Sequence, residues 1–172
     1  MDFETLYITH KDLVYNLALN YCQNTEDAEE IAQDVFLALH QKLNTFKAKS
    51  ELKTWVYRIT VNKSLDFLKA KKTLKRSFFF TAKRIDDEST FNISDFRHPG
   101  VLLEEKESMA KIFAAINSLP ENQKTAIILL KIEQRSKQET AEIMETSVKA
   151  IESLYQRAKN KLKEKLNENE GK

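Results

Sequence analysis

The sequence predicts an all-α protein built from two small helical domains joined by a linker. Only two glycines and two prolines occur among the 172 residues, and none of them lies before Pro99. Tight turns between strands usually need Gly, Asn or Pro, so a sheet-rich fold is disfavoured. Apolar residues recur instead at three- and four-residue spacing in two blocks, with a non-periodic stretch between them.

The first domain is predicted over residues 1–75 and contains three to four helices. Helical spacing begins at once, over about residues 2–21. Asn24 or Thr25 is suited to cap a second helix, and Ser50 is suited to cap a third, because each side chain accepts from a free backbone N–H. Three helices of this length bury a small common core.

A linker is predicted over residues 76–103, where the periodicity is lost. This stretch contains Phe78-Phe79-Phe80, an acidic triplet at residues 86–88 and the turn pair Pro99-Gly100. Its aromatic residues favour burial. The linker is therefore expected either to pack on one of the domains or to lie along a partner, and the sequence leaves both alternatives open.

The second domain is predicted over residues 104–167, with four helices and a short tail at residues 168–172. A short helix from Ser136 to Met144, a turn, and a long helix capped by Ser147 have the proportions of a helix-turn-helix. This motif places the second helix in the major groove of DNA. A plain helical hairpin with a solvated charged face has the same spacing and is the alternative.

Charge is arranged in blocks along the chain. Residues 1–46 carry a net charge of −6, and residues 47–84 carry twelve basic and two acidic residues, a net charge of +10. Residues 85–121 return to −5, and residues 122–172 carry +3. Such blocks indicate separate surfaces for separate partners, and the +10 block is suited to nucleic acid.

Several classes of protein are disfavoured by the sequence. Cys22 stands alone, which excludes an internal disulfide and favours a buried structural thiol. No secretion signal or membrane-spanning stretch is found, so a cytoplasmic location is expected. The three histidines, His10, His40 and His98, lack metal-binding or catalytic spacing, and no glycine-rich phosphate loop occurs. We therefore expect no catalytic residue, metal, cofactor or small-molecule substrate.

Short motifs in both domains resemble a known family. In the first domain these are Asp27-Ala28-Glu29-Glu30, Gln33-Asp34-Val35-Phe36 and the run from Thr54 to Ile59. In the second they are Leu119-Pro120, the run from Ala141 to Met144, the run from Ser147 to Ser153, and Arg157-Ala158-Lys159. In this order they are similar to domains 2 and 4 of the bacterial extracytoplasmic-function (ECF) sigma factors, over about residues 6–167.

The resemblance implies that the chain binds core RNA polymerase and directs it to promoters. Its partners would be the β′ clamp helices and the β flap of the polymerase and promoter DNA. The resemblance leaves open one further partner, a membrane-bound anti-sigma factor. The residues matched to the polymerase surface are Gln33, Asp34, Phe36, Leu37 and Gln41.

The resemblance also implies two DNA-binding surfaces. In this family an extruded base is captured at the −10 element. The residues matched to that surface are Asn44, Phe46, Lys47, Lys49, Lys53, Arg58, Asn62 and Lys63. The residues matched to the −35 element are Ser147, Lys149, Ala150, Glu152, Ser153, Gln156, Arg157 and Lys161. Trp55 is expected to favour core packing over stacking on a base.

The helix-turn-helix departs from the family pattern at four positions. Glu145 stands where Gly is common, Thr146 and Thr140 replace apolar residues, and Glu152 replaces a basic residue. A non-glycine residue at a left-handed turn position costs about 1 kcal/mol, so the motif is expected to survive. The departure at Glu152 leaves the −35 sequence open.

Three alternatives compete with this interpretation. A stand-alone helix-turn-helix regulator would dimerise on palindromic sites without polymerase, but it has no use for the +10 block. An enzyme is disfavoured by the missing catalytic motifs. A helical adaptor that binds only proteins is disfavoured by the clustered basic residues.

Overall fold

Residues 2–46, 51–81 and 105–170 are described by a computed structural model. They form seven α-helices and contain no strand, as the sequence predicts. The helices are α1 (Phe3–Cys22), α2 (Thr25–Lys42), α3 (Leu52–Thr81), α4 (Lys106–Asn117), α5 (Glu121–Ile127), α6 (Lys137–Ile143) and α7 (Val148–Glu170). A 3-10 turn follows α2 (Leu43–Thr45), and a π-helical turn follows α5 (Ile128–Ile132).

Polar side chains cap the helices where the sequence predicts them. Asn24 accepts from the N–H of Asp27 at 3.0 Å and begins α2. Ser136 begins α6 with a reciprocal pair of bonds to Glu139, and Ser147 accepts from the N–H of Ala150 at the start of α7. Each bond satisfies a donor that the first turn of a helix leaves free.

The first three helices enclose one apolar core. Its centre lies between α1 and α2, with α3 closing the third side. The buried members are Leu6, Val14, Ala18, Leu19, Cys22, Ala28, Ile31, Val35, Phe36, Leu39 and Val56. Cys22 is buried within it, which confirms the predicted structural thiol.

A second core joins the two predicted domains. Phe113, Ile128 and Leu129 of the second half are buried in one cluster with residues of α1 and α3. The contributors from the first half are Leu17, Tyr21, Tyr57 and Val61. The first half therefore keeps a core of its own, whereas the core of α4–α7 is completed by α1 and α3.

Three boundaries differ from the sequence-based prediction. Helix α3 continues to Thr81, six residues into the predicted linker, since no Gly or Pro interrupts it. Helix α7 continues to Glu170 rather than ending near Leu166. Pro120 lies one position before α5, as its N-cap.

Some sequence predictions fall outside the described residues. They concern the Ser50 cap, the acidic triplet, the turn at Pro99-Gly100, and the side chains of Phe78, Phe79 and Phe80. Among the described residues, no helix is long and apolar enough to cross a membrane.

Candidate polymerase and nucleic-acid interfaces

The outer face of α2 presents most of the predicted polymerase-binding residues to solvent. Gln33, Asp34 and Gln41 are exposed, and Leu37 is 58% exposed. The exposed leucine leaves apolar surface available to a protein partner. These four side chains therefore share one accessible helix face.

Phe36 does not belong to that face. Its ring is only 8% exposed and packs edge-on against Phe3 and Tyr7 of α1, with ring centroids 6.4 and 4.7 Å away. Phe36 completes the core between α1 and α2, and its predicted contact with the polymerase stays a prediction. The apolar periodicity of α2 could not separate it from Leu37, because the two are neighbours at the edge of the stripe.

The predicted −10 surface runs from the end of α2 into α3. Asn44, Lys53 and Asn62 are exposed, and Lys63 is partly exposed, while Lys47 and Lys49 lie outside the described residues. Phe46 stacks on Trp55 with ring centroids 4.8 Å apart and planes inclined by 35°. Both rings are half-buried, so each keeps some surface open to a ligand.

Arg58, which is predicted to contact DNA, contacts the helix-turn-helix in this structure. Its guanidinium donates twice to the main-chain carbonyl of Glu142, at 2.6 and 3.1 Å, and lies 3.3 Å from the carboxylate of Glu145. These partners are 84 and 87 residues away in sequence, and long-range contacts of this kind leave no local signal.

The predicted −35 surface is the outward face of α7. Ala150 is half-buried, and the other seven predicted side chains are exposed. Glu152 accepts from Lys137 of α6 at 2.7 Å, and this contact lowers the pKa of the carboxyl group. Arg157 and Lys161 lie further along the helix, in positions suited to phosphates.

The turn between α6 and α7 is tight and contains no glycine. Glu145 adopts a left-handed conformation with φ of 52°, and the N–H of Thr146 donates to the carbonyl of Ala141 at 2.9 Å. Thr140, where an apolar residue is common, is fully buried. The helix-turn-helix geometry thus persists despite both departures.

Polar contacts also join the two halves. Glu133 accepts from Asn20 at 2.8 Å and from the hydroxyl of Tyr57 at 3.0 Å. The hydroxyl of Tyr21 donates to Thr125 at 2.9 Å. Sequence analysis missed all of these residues as interface residues, because their types and spacing are those of ordinary helix positions.

Burial shifts the pKa of several side chains in and near this contact. Lys124 is 5% exposed, donates to the main-chain carbonyl of Tyr21 at 3.3 Å and lies over the Tyr21 ring. Loss of hydration lowers the pKa of Lys124 to about 8 and raises the pKa of Tyr21 and of Tyr57. Burial also raises the pKa of Cys22 to about 11, which makes it a poor nucleophile.

Comparisons with known proteins match both halves of the chain. The family model described as Sigma-70 region 2 matches residues 6–73, and the one described as Sigma-70, region 4 matches residues 109–162. Together they cover more than half of the chain.

Relatives match over nearly the whole length. The chain is 27% identical to the ECF RNA polymerase sigma factor SigW of Bacillus subtilis, over 95% of this chain and 88% of that protein. It is 28% identical to the ECF RNA polymerase sigma-E factor of Escherichia coli, over 95% and 86%. The solved sigma factor RpoE of Bartonella quintana, in complex with the anti-sigma factor NepR, is 22% identical. Its TM-score is 0.64, and the match covers 96% of this chain and 97% of that one.

These matches agree with the helical architecture and with the order of the motifs along the chain. Sigma factors are non-catalytic transcription factors that act with RNA polymerase. The chain belongs to the ECF family of RNA polymerase sigma factors.

Proposed function

We propose that this chain binds core RNA polymerase and carries it to a specific set of promoters, using three surfaces of its own. The exposed face of α2 contacts the polymerase, α3 and the turn before it contact the opened −10 element, and α7 reads the −35 element. The observation that carries the proposal is the exposed helix-turn-helix at one end of a chain that also has a basic α3.

The α2 face is suited to a helical partner such as the β′ clamp helices. Leu37 supplies apolar area, and Gln33, Asp34 and Gln41 surround it with hydrogen-bonding groups. An apolar centre with a polar rim is the usual composition of a protein interface. The β flap of the polymerase is the expected partner of the second half.

The −10 surface is suited to unpaired DNA. Phe46 and Trp55 offer aromatic surface on which a base can stack, and Asn44 offers hydrogen bonds to a base edge. Lys53, Asn62 and Lys63 contact the strand beside it, and Arg58 joins them once it is released from Glu142. Extruding a base costs a few kcal/mol, which these contacts return.

The −35 surface divides into base-reading and phosphate-binding parts. Lys149, Glu152, Ser153 and Gln156 lie in the first turns of α7, which enter the major groove in this motif. Arg157 and Lys161 contact the flanking phosphates.

The family relationship supports three further parts of the proposal. The chain acts in the bacterial cytoplasm, where the polymerase is. It has no enzymatic activity and needs no cofactor. An anti-sigma factor regulates it, since the similar sigma factor of Bartonella quintana was solved with one.

The proposal is tested by reconstitution. Core RNA polymerase is mixed with the purified chain and fragmented genomic DNA, and transcript start sites are mapped. We expect start sites with shared −10 and −35 sequences that core alone does not produce. Sequence-specific binding to duplex DNA without any binding to core would instead favour the stand-alone regulator.

Replacing Arg157 and Lys161 by Ala should weaken −35 binding and flatten its salt dependence. Each phosphate contact contributes about one unit to the slope of log K against log salt, so the slope should fall by about two. The measurement is promoter binding by the reconstituted holoenzyme over a range of salt. Asn160→Ala, on the same helix, is the matched control. An unchanged slope would remove both residues from the phosphate surface.

A further inference from the structure

Glu152 is an acidic residue on a helix face that is otherwise suited to a polyanion. It lies one turn into α7, is exposed, and by spacing shares its face with Lys149 and Gln156. The opposite face carries Ile151 and Ala158, which are fully buried. Because a carboxylate repels the phosphates of DNA, a favourable contact of Glu152 in the groove must be with a base.

Lys137 of the neighbouring helix holds this carboxylate. Lys137 is the first residue of α6, and its Nζ donates to Oε1 of Glu152 at 2.7 Å. The reciprocal bonds between Ser136 and Glu139 fix the turn from which Lys137 extends. An exposed ion pair contributes little to stability, so the effect of this pair is on the position and the charge of the carboxylate. The bond lowers the pKa of the carboxyl group, which therefore stays ionised.

One oxygen of the carboxylate remains for a ligand. Among the described residues, Lys137 bonds Oε1 of Glu152, and Oε2 has no partner. An ionised carboxylate only accepts hydrogen bonds, so it needs a donor at a base edge. In the major groove, guanine presents acceptors and thymine an acceptor and a methyl group, and the amino donor of adenine lies beside the acceptor N7. Cytosine presents its N4 amino donor without a neighbouring acceptor, so it is the base that Glu152 fits best.

Lys137 also has donors left for DNA. An ammonium group carries three N–H donors, and Glu152 uses one of them. In helix-turn-helix proteins the first helix crosses the DNA backbone while the second enters the groove. Lys137 lies in the first turn of that first helix, so its remaining donors are available to a phosphate. The pair therefore reduces the repulsion between Glu152 and DNA, and it links a base contact to a backbone contact.

We propose that Glu152 determines promoter specificity by accepting a hydrogen bond from the N4 amino group of a cytosine in the −35 element, and that Lys137 positions its carboxylate. This inference rests on the proposed function, because it assumes that α7 enters the major groove of that element. It deepens the proposed function by naming a base and by adding Lys137, which is not among the predicted DNA-binding residues.

The test selects −35 sequences with the reconstituted holoenzyme. A promoter library carries a fixed −10 element, taken from the mapped start sites, and a randomised −35 element, and the transcribed members are sequenced. For the unaltered chain we expect a position at which cytosine is preferred about 5- to 10-fold, the lower part of the range for base discrimination by one side chain. Glu152→Gln supplies a donor as well as an acceptor, which together fit N7 and N6 of adenine. The preference at that position should therefore move from cytosine to adenine.

Glu164→Gln is the matched control, because it removes the same charge from an exposed position about three turns further along α7. We expect it to leave the preference at every position unchanged. The absence of any cytosine preference in the unaltered chain would overturn the inference. So would cytosine preferences that Glu152→Gln leaves unchanged at every position.

Lys137→Met tests the positioning role, because it removes the ammonium group and keeps an unbranched side chain. We expect the cytosine preference to fall at the position that Glu152→Gln changes, and the slope of log K against log salt to fall by about one. Lys137→Arg restores a donor to Glu152 and should recover the preference. If Lys137→Met weakens binding to all −35 sequences equally, the positioning role is overturned, since loss of a phosphate contact or of stability has that effect.

The two proposals fail differently in this experiment. A holoenzyme that starts transcripts without regard to the −35 sequence would contradict the proposed function. A holoenzyme that selects a −35 sequence in the same way with and without the carboxylate of Glu152 would overturn the cytosine contact and leave the proposed function intact.

Discussion

Lys124 brings a positive charge into the contact between the halves. Its amino group is held by a main-chain carbonyl at the end of α1 and by the ring of Tyr21, while the titratable groups that face it are Cys22 and Glu121. A carbonyl dipole replaces hydration only in part, so burial favours the neutral amine. Closure of the interface is thereby linked to protonation.

Raising the pH from 7 to 9 should favour the closed form about tenfold. The pKa of Lys124 is about 8 in the closed form, against 10.5 for an exposed lysine. Burying the charged amine therefore opposes closure, and this free-energy cost falls as the pH rises through 8. The raised pKa of Tyr21 keeps its phenol neutral over this range. The measurement is the distance between fluorescent labels on α3 and α5. Lys124→Met should remove the dependence, and its persistence there would assign it to another group.

Thr140 offers a second test at this scale. Its hydroxyl oxygen is buried with no hydrogen-bond partner among the described residues. Thr140→Val keeps the shape and removes the unsatisfied group, so we expect a gain of about 1 kcal/mol in the free energy of unfolding. Thermal unfolding measures it. A loss of stability would mean that the hydroxyl has a partner, such as a buried water.

Among the helices, the short ones depend most on their caps. Helix α6 has seven residues, so a large fraction of its backbone N–H groups lies in the first turn. The reciprocal bonds between Ser136 and Glu139 satisfy two of them. The orientation of the helix-turn-helix thus depends on a few local bonds as well as on packing.

Ser136→Ala should cost about 1 kcal/mol of stability, because the N–H of Glu139 loses its acceptor. Urea unfolding of the full chain measures the loss. Ser153→Ala, at an exposed position within α7, is the control and should leave the midpoint unchanged. Equal midpoints for both variants would contradict the role of the cap.

Sequence analysis predicted the helices well and their far ends less well. The caps at Asn24, Ser136 and Ser147 and the apolar periodicity are local signals, so they were readable. The end of α3 could not be predicted from periodicity, because the three consecutive phenylalanines at residues 78–80 interrupt the apolar pattern while the helix continues. The absence of Gly and Pro before Pro99 was the better indication that α3 continues.

At the scale of the molecule, the two predicted domains share the second of the two cores. The second core takes Tyr57 and Val61 from α3 and Ile128 and Leu129 from the second half. Periodicity identifies which residues of a helix are buried, but it does not say against which helix. The family resemblance predicted the order of the domains. It did not predict the contact of Arg58 with Glu142 and Glu145.

The shared core should make the halves unfold together. We expect the slowest-exchanging backbone amides of α1 and of α5 to have the same free energy of opening, because opening either half exposes the other. Native-state hydrogen exchange measures both. A lower value confined to the second half would show that it opens independently.

The aromatic pair at the end of the −10 surface has a practical consequence. Trp55 is the only tryptophan in the chain, and it lies against Phe46. The tryptophan emission of the unlabelled protein therefore reports on that one stacking contact, where a captured base would quench or shift it. With dyes recording the separation of the halves, a stopped-flow trace would time domain release and strand capture as two distinct kinetic phases.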